Sequence, residues 1–116
     1  VSNGPENKIR TSLKATGLDE LFGDYLFSGY DAQCWKPDPC LYLHAASMMG
    51  FAAADCVAID DSIVGVQAAL AAGMTVIHLN RFPDVEETPE GAISITSMFQ
   101  LPTVISRLTQ AQAMAN

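Results

Sequence analysis

Positive charge is scarce in this chain: six lysines and arginines stand against thirteen aspartates and glutamates, a formal net charge of −7 at pH 7. That balance argues against a nucleic-acid groove and against a surface for anionic membranes. It also repels anionic ligands at long range, so a phosphate site needs local positive charge or a metal. Long apolar runs are missing too, none approaching the ~20 residues of a membrane span, and no basic-then-apolar leader opens the sequence. Cysteine is sparse. Cys34, Cys40 and Cys56 are odd in number and lack C-x-x-C spacing, which indicates neither a zinc knuckle nor a disulfide framework. Cys34 and Cys40 bracket a turn, Cys56 reads as packing, and a reducing cytoplasm is the expected compartment.

What is present suits one compact domain covering residues 1–116, with 49% hydrophobic and only 16% charged residues. Pro5 to about Ala15 reads as a helix closed by Gly17. Tyr25 to Gly29 reads as a short strand. Pro37 and Pro39 interrupt regular structure, and Asp38 is the expected N-cap of a helix running to about Met49. Cys56–Ile59 and Thr75–Leu79 read as strands flanking a helix from Ser62 to Ala72. Asn80–Gly91 is a polar surface loop, Ile93–Ile95 a small edge strand, and Ser97 caps a last helix to about Gln110, beyond which the chain should fray. Strands alternating with helices predict a parallel α/β sheet. Val1 to Pro5 reads as the end of a buried strand running into a helix start, which, with so small a sheet, predicts a preceding N-terminal part.

The densest information lies in Val57 to Met74. An apolar strand stops at Asp60-Asp61, a small-residue helix starts at once, and Gly73 closes it. Carboxyl ends of such strands are where open α/β sheets bind ligands. Adjacent carboxylates there call for a compensating cation, with Mg²⁺ the natural candidate. The plainer alternative is that Asp61 or Ser62 is simply the N-cap of the helix, with Asp60 facing solvent. Two further stations precede this one. Ser2-Asn3-Gly4 stands before a helix amino end, offering a hydroxyl and free N–H groups to an anion. Lys36 supplies a point charge on the Trp35-Lys36-Pro37-Asp38-Pro39 loop. Hydroxyl, ammonium and Mg²⁺ together meet the needs of a phosphoryl group, whose transfer depends on positioning and charge neutralisation.

Taken in order, these segments resemble the haloacid dehalogenase-like hydrolase superfamily. Ser2-Asn3-Gly4 resembles its second motif, Lys36-Pro37-Asp38-Pro39 its third, and Ile59-Asp60-Asp61-Ser62 through Gly73-Met74 its fourth. With Phe27-Ser28-Gly29-Tyr30-Asp31, they look most like the 6-phosphogluconate phosphatase and β-phosphoglucomutase-like group. The resemblance implies a three-layer parallel Rossmann-like core and a Mg²⁺-dependent phosphatase acting on a small phosphorylated metabolite, a sugar phosphate by preference. It gives Ser2 and the amide of Asn3 to the phosphoryl group. Lys36 would neutralise its charge and orient the nucleophile, and Asp61 with Asp60 would hold Mg²⁺.

The departures are equally informative. The family's first motif, an Asp-x-Asp element carrying the phosphorylated nucleophile, occurs nowhere in this sequence. Its first strand and helical cap are therefore expected to be lacking, and the chain as given to be inactive or nearly so. Asp24, Asp31 and Asp38 read as turn or cap residues. Cys40 and Trp35 replace the acid and glycine of many relatives. Trp35 stacks on a sugar or simply packs. His44 reads as a surface or core-edge residue, His78 as packing, and Met48, Met49 and Met74 as core fillers. A carbon–halogen hydrolase is the first rival, disfavoured because it needs no metal. A phosphomutase shares every residue seen here. A non-catalytic module is the remaining alternative, since the strand ending at Asp60 would lie at an open sheet edge and invite homodimerisation.

Overall fold

In a computed structural model, residues 1–115 are described. Strands β1 (Val57–Asp60), β2 (Thr75–Leu79) and β3 (Ile93–Ile95) form one parallel sheet in that spatial order. The register sets Val57 beside Thr75, Asp60 beside His78, and Ile77 beside Ile93. Between β1 and β2 runs helix α5 (Ile63–Ala71). Its Gly65, Val66, Ala68 and Ala69 are buried, and with Ala58, Val76, Ala72 and Tyr42 they make the core. Small side chains let this helix lie close on the sheet, where dispersion contacts are densest. The α/β class expected from the alternation of elements is the one observed.

Four helices precede the sheet. The first, α1 (Glu6–Thr16), starts after an extended Pro5, pairs Glu6 with Arg10 at 2.9 Å, and ends at Gly17 with φ 73°. Its free Glu6 N–H is capped from a distance by Asp31 Oδ2 at 3.0 Å. Then come α2 (Asp19–Phe22), α3 (Gly29–Ala32) and α4 (Cys40–Met48). The strand expected over Tyr25 to Gly29 shrinks to one parallel bridge between Ser2 and Ser28. Ser28 Oγ accepts the Asp31 N–H at 3.1 Å and so starts a helical turn where the ladder would have continued. Asp38 does serve the start of α4: its Oδ1 accepts the Cys40 N–H at 2.9 Å, while Pro39 holds the backbone cap position.

Two expectations need correction. Met48 and Met49 are exposed, because α4 buries the face of Leu41, Tyr42, Ala45 and Ala46; only Met74 packs against the core. Cys34 and Cys40 are joined as a disulfide, their Cα atoms 5.9 Å apart, because the turn folds its two ends together. Cys56 is free and half-buried.

After β2, buried Asn80 organises the loop. Its Nδ2 donates to the Glu86 carbonyl at 2.8 Å and its Oδ1 accepts the Phe82 N–H at 3.0 Å. His78 is fully buried beneath that loop, Nδ1 2.8 Å from Thr88 Oγ1, which is a packing role. Ser97 and Gln100 form a reciprocal capping box. The helix that follows, α6 (Leu101–Ala115), continues past Gln110, where the sequence predicts its end; Asn116 lies outside the described residues. Among the described residues no helix is long and apolar enough to cross a membrane.

One edge of β1 has no strand partner among the described residues. Beside it lies an apolar slot of about 400 Å³ whose walls include Val1, Tyr42, Ala45, Met49, Val57 and Ile59.

Candidate functional site

Asp60 ends β1 and turns inward, its side chain only 8% exposed. Its Oδ1 accepts both the N–H and the hydroxyl of Ser62, each at 2.8 Å. The Ser62 hydroxyl oxygen in turn accepts the Gly65 N–H at 3.0 Å and so caps α5. The two readings of the acid pair thus separate: Ser62 is the cap, and Asp60 faces the interior. On the other side, Asp60 Oδ2 accepts from Lys36 Nζ at 2.7 Å and from the Tyr42 hydroxyl at 2.8 Å. The Lys36 ammonium also donates to the Val1 carbonyl at 3.3 Å and lies 5.3 Å from the centroid of the Tyr42 ring.

Burial opposes ionisation of Asp60, but hydrogen bonds from Lys36, from the Ser62 N–H and from Tyr42, with the ammonium's charge, outweigh it and hold the carboxyl at about 2. Tyr42 is driven the other way: burial first, then its bond to an ionised Asp60, push the phenol far above its ordinary value. Tyr42 is accordingly a permanent hydrogen-bond donor. It clamps Asp60 and cannot serve as a base.

The other stations converge on the same place. The backbone N–H of Lys36 donates to Asn3 Oδ1 at 2.9 Å, which ties the proline-rich turn to the segment before α1. Ser2 Oγ accepts the Gly4 N–H at 3.2 Å, leaving its own proton to donate elsewhere. Ser2, Asn3, Lys36, Asp60 and Asp61 all line one open cavity of about 500 Å³. Asp61 is more than half exposed, with Oδ2 3.6 Å from the equally exposed Arg81 guanidinium. The two acids therefore differ as donors to a cation. Both oxygens of Asp60 already accept two hydrogen bonds apiece, whereas Asp61 accepts none among the described residues. A hard cation is held by oxygen lone pairs, and those of Asp61 take no hydrogen bond among the described residues.

Several residues lie apart from this cavity. His44 packs edge-on against Phe27 at 5.8 Å, Trp35 is half-exposed, and Asp31 is occupied as a cap. Sequence reasoning overlooked Tyr42 and Gly65. Tyr42 carries no local signal, since nothing in its helix says which acid its hydroxyl meets. Gly65 does carry one: a glycine inside a helix is unfavourable by about 1 kcal/mol against alanine, which points to a close approach. A Cβ there would run into the carboxylate of Asp60.

The class is thus a parallel α/β core that brings a buried lysine–aspartate pair at a strand end, a hydroxyl before a helix amino end and an open acid to one cavity. The chain belongs to the haloacid dehalogenase-like hydrolases, whose family profile matches residues 1–73. It is 41% identical over 103 residues to the 6-phosphogluconate phosphatase of Escherichia coli, a match covering 88% of this chain and 47% of that protein. Among solved structures it resembles a conserved haloacid dehalogenase-like protein of Agrobacterium tumefaciens, with 28% identity and a TM-score of 0.78 over 92% of this chain and 52% of the other. It also resembles a family hydrolase of Deinococcus radiodurans solved with bound phosphate and sodium, with 29% identity and a TM-score of 0.77 over 90% of this chain and 49% of the other. The chain spans about half the length of that Escherichia coli relative.

Proposed function

We propose that this chain supplies the phosphate- and metal-binding half of a Mg²⁺-dependent phosphatase acting on a small phosphorylated metabolite of the sugar-phosphate kind. The observation that carries this reading is the Lys36–Asp60 pair, buried at one wall of a cavity that Ser2, Asn3 and Asp61 also line. In it, the Ser2 hydroxyl and the Asn3 N–H donate to phosphoryl oxygens, and Lys36 neutralises charge that builds up on them. Asp60 and Tyr42 hold the ammonium in place and do not touch substrate. Mg²⁺ held by Asp61, with Asp60 contributing directly or through water, would supply further charge neutralisation on the phosphoryl oxygens. The nucleophilic carboxylate would come from an Asp-x-Asp strand that this sequence does not contain, and the edge of β1, unpaired among the described residues, offers backbone groups to such a strand.

The test is to read the coding sequence upstream of Val1 in frame, then assay the encoded protein on sugar phosphates. An Asp-x-Asp element and phosphate release are the expected results; an upstream stop with a start close to Val1 would overturn the catalytic reading. A phosphomutase uses the same residues, and product analysis would separate it from a phosphatase by isomerised phosphate in place of free phosphate. The metal assignment has its own check. Asp61→Asn should weaken Mg²⁺ binding, read by calorimetry, by about tenfold or more. Because Asp61 is exposed, stability should move by no more than about 0.5 kcal/mol. Unchanged Mg²⁺ affinity would remove Asp61 from the site.

A second reading is favoured by the open edge of β1, where Val57 and Ile59 are 42% and 39% exposed beside the apolar slot. Here a second copy of the chain covers that edge by strand pairing. Light scattering would then show a mass twice the 12.4 kDa of the chain, reduced to the monomer by Val57→Lys. A monomer at every concentration would dismiss it. In either reading we expect no nucleic-acid or anionic-membrane partner, on the net charge of −7.

A further inference from the structure

We propose that Cys34 and Cys40 are a reversible thiol–disulfide pair that locks the Lys36 loop onto the site. The bond closes a short ring whose residues are Cys34, Trp35, Lys36, Pro37, Asp38 and Pro39 with Cys40. Both ends of the ring are tied to the candidate site. The Cys34 N–H donates to the Gly29 carbonyl at 2.9 Å, and the Gly29 N–H donates to the Ser2 carbonyl at 2.7 Å. Cys40 opens α4, which carries Tyr42 to Asp60. Between those ends the loop is thinly held. Trp35, Pro37 and Asp38 are exposed, and few hydrogen bonds pin its backbone, chief among them Lys36 N–H to Asn3 Oδ1 and Asp38 N–H to the Trp35 carbonyl. A cross-link at the ends therefore adds a backbone restraint to a segment whose ammonium is otherwise held through its side chain by Asp60 and the Val1 carbonyl.

The pair is also placed for exchange. Both cysteines are only half-buried, so a small reagent reaches them, and the Asp38 carboxylate lies within 4.8 Å of both sulfurs. The oxidant is a low-molecular-weight disulfide such as oxidised glutathione. One protein thiolate attacks it and releases one small thiolate. The second protein thiolate then attacks the mixed disulfide and releases the other. Two protein thiols thus lose two protons and two electrons, and one small disulfide becomes two small thiols.

The experiment equilibrates the chain in graded ratios of reduced to oxidised glutathione, traps free thiols by alkylation, and counts labels by mass. Amide hydrogen exchange at Lys36 is followed in each state. The expected result is joint loss of the Cys34 and Cys40 labels as the buffer becomes oxidising, with recovery on reversal and Cys56 still labelled. The Lys36 amide should exchange about tenfold or more slowly in the oxidised form. The Cys34→Ser, Cys40→Ser double variant should show the fast exchange in every buffer. Labels retained throughout, a glutathione adduct in place of the internal bond, or equal exchange at Lys36 in both states would overturn the proposal. The inference bears on the phosphate site proposed above through one added readout: inorganic phosphate should bind more weakly to the reduced chain. If neither form binds phosphate while the labels and the exchange behave as expected, the functional reading fails and the redox clamp stands.

Discussion

Replacing Gly65 by alanine is expected to destabilise the protein by about 2–4 kcal/mol, where the same change inside most helices stabilises by up to about 1 kcal/mol. The sign reverses because of what faces that position. A methyl group on Gly65 would run into the Asp60 carboxylate. A flexible side-chain end elsewhere would swing aside, but this one is held by Lys36, Tyr42 and two donors of Ser62. To make room it must give up some of those bonds and leave a buried ammonium or phenol unpaired, which exceeds any helix-propensity gain. Urea unfolding of Gly65→Ala decides the matter, and increased stability would show that α5 does not press on Asp60. Bound phosphate should be lost in the same variant, since Lys36 would no longer be anchored.

The second large effect is expected of Asp60→Asn. The neutral amide leaves the Lys36 ammonium, whose side chain is 10% exposed, without its anion, and breaking a buried pair from one side costs about 3–5 kcal/mol. The Lys36→Met, Asp60→Leu double variant should recover much of that loss, because it removes both charges from the interior. Acid adds an independent measurement. The Asp60 carboxyl sits at about 2 in the folded chain against an ordinary 3.8, so it binds its proton more readily when unfolded. Its contribution is therefore fully present above about pH 4 and is lost as the pH falls through 2. The size is about 2 kcal/mol. Denaturation at pH 7, 4 and 2 should show that loss in the parent and a shallower fall in Asp60→Asn. Parallel pH profiles would mean that Asp60 is not held by Lys36.

How well each feature could be read from the sequence follows from how local its cause is. The unit from β1 to α5 was legible because strand, acids, serine cap and small-residue helix are consecutive. The Gly17 ending of α1 and the Ser97 cap were legible for the same reason. Met48 and Met49 were misread because hydrophobicity says that a residue prefers to be buried, while the orientation of α4 decides which residues are. The strand expected over Tyr25–Gly29 gave way to the Ser28 cap, a competition between two local hydrogen-bonding choices. The disulfide was invisible since six-residue spacing alone does not say whether a turn closes.

From the chain alone come the α/β class, the three stations Ser2-Asn3, Lys36 and Asp60-Asp61, and the family to which they belong, for all of these rest on residue type and order along the chain. Tertiary structure alone decided how the acid pair is divided. Asp60 turned inward to Lys36 and Tyr42, and Asp61 was left open to the cavity. Neighbouring acids on a chain are chemically equal until the fold sets a lysine 24 positions away and a tyrosine 18 positions away against one of them. Hydrogen bonding and charge pairing then fall off so steeply with distance that the other acid takes no share in them.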